Sequence, residues 1–177
     1  ANWVFDSFEP VLYRGANLDM VRGREISRSG SPDHATGNSI MQSILRISQF
    51  AAPADAARMR SLVKELALED TSRSFVGGCP LSLIPAAEQL MADTNTLPQG
   101  ELVAHFQFPC MDRVVHLRPG FGVGLSLFST RIYDYESING ENLHNWFTGS
   151  GMTYLYNADL THYGDSFWCT VNPYRLA

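Results

Sequence analysis

Arg24 and Arg28 stand four residues apart in the run Met20-Val21-Arg22-Gly23-Arg24-Glu25-Ile26-Ser27-Arg28. On a helix that spacing puts two guanidiniums on one face. Each is a permanently charged planar fork, matched to a carboxylate or sulfate and able to stabilise a nearby oxyanion. A second polar run lies far downstream, Glu136-Ser137-Ile138-Asn139-Gly140-Glu141-Asn142. It offers a carboxylate to hold an arginine and amides to hold sugar hydroxyls. The plainer alternatives are a solvated helix face for the arginines, a structural Arg24–Glu136 salt bridge, and a simple Asn-Gly turn at Asn139.

The elements that must position these groups change character along the chain. Residues 1 to about 93 have helical spacing: Trp3, Val4, Phe8, Val11 and Leu12, interrupted at Pro10, then stripes over 37–50, 54–70 and 84–91. Residues 95–101 carry the Asn95-Thr96-Leu97-Pro98-Gln99-Gly100 linker. Beyond it the period becomes two. Ala104, Phe106 and Phe108 alternate with polar residues, Phe121, Val123, Leu125 and Leu127 alternate with Gly122, Gly124 and Ser126, and 131–135 extends the strand pattern. Two glycines on one strand face predict something packed closely against it. The expected organisation is α+β: helices over 1–94, a linker over 95–101 and antiparallel strands over 102–177.

The 177 residues carry a formal charge of −5. That argues against nucleic acid as the main partner, which needs a basic face, but a few focused arginines can still meet an acidic substrate. No apolar run is long enough for a membrane span. Cys79, Cys110 and Cys169 form no metal-binding spacing, and the first two read as buried small hydrophobes. A single disulfide stays open. His34 reads as a polar helix-start residue, and Asp112-Arg113 as a strand-edge ion pair. Tyr154 and Tyr156, like Trp146 and Phe147, read as core, with sugar stacking as the alternative. No metal or other cofactor is called for.

Several blocks taken together resemble polysaccharide lyase family 8, which includes hyaluronan, chondroitin AC and xanthan lyases. They are Tyr13-Arg14-Gly15, the run from Asp19 to Arg28, Met111-Asp112-Arg113, Arg118-Pro119-Gly120-Phe121, the run from Tyr135 to Asn142, the run from Trp146 to Asn157, and Pro173-Tyr174-Arg175. The match runs in order from end to end, although Cys169 and Asn172 depart from the family's usual ending. The resemblance implies the last helices of an incomplete α/α toroid followed by the first strands of a β-sandwich. The chain would be an internal piece of a larger, secreted bacterial lyase acting on an acidic polysaccharide.

That family cleaves uronic-acid polysaccharides by β-elimination, without a metal. By the resemblance, the Asn, His and Tyr of the proton chemistry lie on toroid helices before Ala1, in the remainder of the lyase chain. Arg24 matches the arginine beside that tyrosine, and Glu136 the carboxylate that fixes Arg24. Arg28 matches a second arginine that contacts the sugar chain, and Asn139 a substrate-binding amide. Hyaluronan or chondroitin is the favoured substrate over xanthan, because Gly30 stands where xanthan lyases carry an aromatic and a glycine cannot stack. The reading from another class is a non-catalytic glycan-binding or scaffold module that lacks the Tyr/His pair.

Overall fold

A computed structural model describes residues 2–27, 33–133, 136, 138–139, 141–142 and 148–161. The chain forms two compact units. The first draws on Ala1–Ala16 and His34–Leu102, the second on Asn17–Asp33 and Val103–Ala177. The chain therefore leaves the helical unit after Ala16 and re-enters it at His34. A single cut near residue 94 does not describe the compact units.

The first unit is built on helices α1 (Asp33–Ser48), α2 (Pro53–Glu69) and α3 (Ile84–Ala92). Pro53 and Pro85 sit in first turns, where a missing N–H has no helical partner to lose. Met41, Ile44 and Leu45 from α1, Met59, Leu62, Val63 and Leu66 from α2, and Ala87 and Leu90 from α3 form one core with Val4, Phe5 and Leu12. Each large side chain so buried contributes roughly 1.5–3 kcal/mol by transfer from water. Lys64 is buried among them, and its ammonium donates to the Asp93 carbonyl just past α3 at 2.6 Å. The linker residues lie along α2, with Ser61 Oγ donating to the Leu97 carbonyl and Gly100 N–H to Glu65.

The first helix expected from periodicity takes a different form. Val4–Phe8 is a π-helical turn, and Glu9–Val11 a 3-10 turn that accepts Pro10 in its first positions. A hairpin of β1 (Leu12–Tyr13) and β2 (Ala16–Asn17) follows, which the apolar pattern did not signal. Its turn residues Arg14 and Gly15 are both left-handed, with φ of 46° and 84°. At position 15 only glycine fits: a Cβ there would lie 2.5 Å from Asp70 Cβ. Asp70 is the C-cap residue of α2, and its carboxylate accepts from Ser72 and Arg73 N–H at 2.9 Å in the turn beyond it and pairs with His34 Nδ1 at 3.0 Å. His34 is thus a buried, partnered helix-start residue.

The second unit holds a four-stranded antiparallel sheet in the order β3 (Ala104–Phe108), β4 (Arg113–Arg118), β5 (Phe121–Ser126), β6 (Met152–Tyr156). Val115, Gly124 and Tyr154 share one cross-strand row, and Leu117, Gly122 and Tyr156 another. In β5 it is the Gly122, Gly124 and Ser126 face that is buried, while Phe121 is exposed and Val123 and Leu125 are half-buried. Tyr154 and Tyr156 are core residues. The strand expected over 131–135 is absent from its described part; Ser129 and Ile132 make only an isolated bridge. Asp112 pairs with Arg131 at 2.7 Å rather than with its neighbour. Cys79 is half-buried, but Cys110 is exposed on the β3–β4 turn, correcting the reading of it as a buried hydrophobe. Cys169 lies outside the described residues.

Candidate functional site

The Arg24 segment is carried on the sheet by three anchors. The first is Asp19, at the start of a 3-10 turn, Asp19–Val21. Its N–H donates to the Tyr156 hydroxyl at 2.8 Å, and that hydroxyl donates back to Asp19 Oδ2 at 3.0 Å. Arg22 closes the group through a 2.8 Å ion pair to Asp19 Oδ1 with both side chains almost fully buried. Burial raises the Asp19 carboxyl to about 6 against the pull of Arg22 and with a push from Asp33. Burial also raises the Tyr156 hydroxyl, and the Asp19 charge beside it adds to this.

The second anchor is Arg113. Its Nε donates to the Met20 carbonyl at 2.9 Å, and its Nη atoms to the carbonyls of Met111, Leu127 and Thr148. Desolvation lowers the pKa of this guanidinium. The third anchor is a fit of shape. Met20 Sδ would stand 3.2 Å from a Cβ at Gly124, so the missing side chain of β5 is the socket that receives it. The close approach predicted by the glycine pattern is this one.

Beyond Arg22 the chain forms a 3-10 turn, Gly23–Ser27. The α-helical form that would set Arg24 and Arg28 on one face is replaced by a 3-10 turn as far as Ser27. Arg28 and Gly30 lie outside the described residues. Arg24 Nε lies 3.7 Å from Glu136 Oε2 and 3.6 Å from Glu141 Oε2. The expected meeting of Arg24 and Glu136 is therefore present, with Glu141 as an equal partner. Glu141 is the better buried of the two, at 21% exposure against 66% for Glu136. Of the two carboxylates in the run from Glu136 to Asn142, the sequence singled out only Glu136. The signal was available, since a carboxylate five residues after Glu136 across an Asn-Gly turn returns to the same side.

Asn139 occupies that turn. Ile138 and Glu141 bridge, Glu141 N–H donates to the Ile138 carbonyl at 3.0 Å, and Asn139 is left-handed at φ 58°. Its side chain is exposed. A left-handed conformation is one that asparagine tolerates in turns, and the exposed amide is accessible to a ligand. The nearest approach of each carboxylate to Arg24 is at Nε. An arginine held this way can present a two-pronged donor to an external carboxylate or to a developing oxyanion. Among the described residues no group of three or more His, Cys, Asp or Glu is gathered as a metal site would require, and no helix is long and apolar enough to cross a membrane.

Helices followed by an antiparallel sheet, with an arginine braced by carboxylates from a sheet-side loop, define the class that comparison with known proteins makes specific. Residues 1–65 match the family model for the polysaccharide lyase family 8 N-terminal alpha-helical domain, and residues 103–177 match that for its super-sandwich domain. The chain belongs to polysaccharide lyase family 8. It is 47% identical to a xanthan lyase of Bacillus sp. (strain GL1), over 98% of this chain and 19% of the relative. It is 41% identical to a hyaluronate lyase of Thermasporomyces composti, over 97% of this chain and 22% of the relative. The solved structure of a Paenibacillus xanthan lyase matches with a TM-score of 0.92 at 53% identity, covering 97% of this chain and 16% of that one. The chain spans about a fifth of the length of the curated relatives it matches.

Proposed function

We propose that this chain is the part of a bacterial polysaccharide lyase that supplies the arginine side of the cleavage site. The reaction is β-elimination on a uronic-acid polysaccharide, working outside the cytoplasm and without a metal. The observation that carries this reading is Arg24 braced through Nε by Glu136 and Glu141, within a chain of family 8. Elimination removes the C5 proton and breaks the C4–O bond while negative charge grows on the sugar carboxylate. A tyrosine is a weak base at its ordinary pKa of about 10. A guanidinium beside it favours the phenolate and lowers that pKa.

In this reading the tyrosine, with its Asn and His, comes from the rest of the lyase chain, and Arg24 sits beside it. Glu136 and Glu141 hold the guanidinium by charge without setting its direction, Arg28 contacts the sugar near the scissile bond, and Asn139 binds substrate. In the intact parent, Arg24→Ala is expected to lower turnover by orders of magnitude, on the scale of removing a donor to a developing oxyanion. The unsaturated product, followed by its ultraviolet absorbance, gives the measurement. Near-wild-type turnover would end this assignment.

The substrate draws two readings. Similarity to xanthan lyases at 47% and 53% identity favours xanthan. Gly30, which cannot stack on a sugar face, favours hyaluronan or chondroitin. Assays of the parent on all three polymers separate them.

A further inference from the structure

Asn142 is the most constrained polar side chain near Arg24. It is 4% exposed, and its backbone is left-handed at φ 48°. Its Nδ2 donates to the Glu136 carbonyl at 2.8 Å and to Thr148 Oγ1 at 3.2 Å. Its backbone N–H donates to Ser27 Oγ at 2.8 Å, and the Ser27 hydroxyl donates to the Arg24 carbonyl at 3.1 Å. One residue thus joins the backbone of Glu136, the chain just after Glu141 and the turn that carries Arg24.

The amide can take only one orientation, because a flip would set Oδ1 against the Glu136 carbonyl. That orientation leaves Asn142 Oδ1 buried with no partner among the described residues. A buried acceptor left unmade is unfavourable, and the left-handed backbone, which asparagine tolerates better than most residues, adds a smaller cost. Such local costs gather where geometry serves function. The ion pairs of Arg24, at 3.6 and 3.7 Å, are too long to be hydrogen bonds and do not by themselves fix a direction. The links through Asn142 and Ser27, at 2.8–3.2 Å, do.

We infer that Asn142, acting with Ser27, is a positioning residue for Arg24: it sets where the guanidinium stands against Glu136 and Glu141, and so where its Nη fork points, without touching substrate. This rests on the assignment of Arg24 made above. The test uses the intact parent lyase and a double-mutant cycle on turnover. Asn142→Gly keeps the left-handed backbone and the N–H but removes the amide clamp. Ser27→Ala removes the relay from the other side. Each is expected to lower kcat by about 10–100-fold, the scale of a misplaced catalytic group, with KM nearly unchanged. In an Arg24→Ala background either change should cost less than about two-fold, because the group being aimed is gone.

Full additivity in that background, or wild-type turnover in both single variants, overturns the inference. If Asn142→Gly does not fold, judged by its melting curve, the Ser27→Ala arm of the cycle decides alone, by the same two outcomes. An Arg24→Ala parent with normal turnover sinks the Arg24 assignment and this inference with it. An impaired Arg24→Ala parent with additive Ser27 and Asn142 effects sinks this inference alone.

Discussion

Helices α1, α2 and α3 are held by Met41, Ile44, Met59, Leu62 and Val63, side chains that need only volume and apolarity. The Asn17–Asp33 segment is held by Asp19, Arg22, Tyr156 and Arg113, each through directed contacts near 3 Å. The two regions should therefore fail differently. Apolar packing is non-directional and tolerates exchange at constant volume. A buried charge pair is intolerant, because removing one partner strands the other in a medium that cannot solvate it.

The largest expected effect tests the polar region. Asp19→Ala leaves Arg22 buried beside a tyrosine and should weaken the second unit by about 3–5 kcal/mol, read by hydrogen exchange of the β6 amides. A cost no larger than that of a surface substitution would break the contrast. Next comes the helical region. Met59→Ala should cost about 2–5 kcal/mol through lost burial and a cavity, whereas Met59→Leu should cost less than about 1.5 kcal/mol. Chemical unfolding of the pair decides it, and equal losses would mean that the core is as particular as the polar network.

The last test sharpens the comparison through pH. Asp19 titrates at about 6 in the fold against 3.8 ordinarily, so the folded state binds its proton more tightly. This group's stabilising contribution is complete below about pH 3.8 and is lost as pH rises through about 6. Asp19→Asn removes that dependence. The advantage of the wild type over Asp19→Asn should therefore shrink between about pH 4 and about pH 7, measured by unfolding at each end. A growing advantage would show that the Arg22 charge, rather than burial, governs the carboxyl.

What could be read from residue order follows from period. The spacing of apolar residues located α2 and α3 to within a residue or two and β3 residue for residue. The helix expected over 37–50 begins earlier, at Asp33, because polar residues fill its first turn and leave the apolar stripe nothing to mark. Strand β4 was not among the expected strands: Val115 and Leu117 face the core and alternate with His116 and Arg118, but Arg113 and Val114 invert that pattern and leave only four residues in phase. The Trp3–Leu12 stripe was legible, but its π and 3-10 form was not, because tight and wide turns differ little in side-chain spacing.

For the site, residue order determined which chemical types could meet: a fork-shaped cation early in the chain and carboxylates in an Asn-Gly loop more than a hundred residues later. Charge and chemical shape belong to the residue and need no fold to be stated. Only the tertiary structure decided that Glu141 shares Arg24 with Glu136, that the Arg24 turn is 3-10, and that residues 17–33 group with the strands. Those outcomes depend on contacts such as Asp19 to Tyr156 and Met20 to Gly124. Their partners lie far apart along the chain, and no local period encodes them.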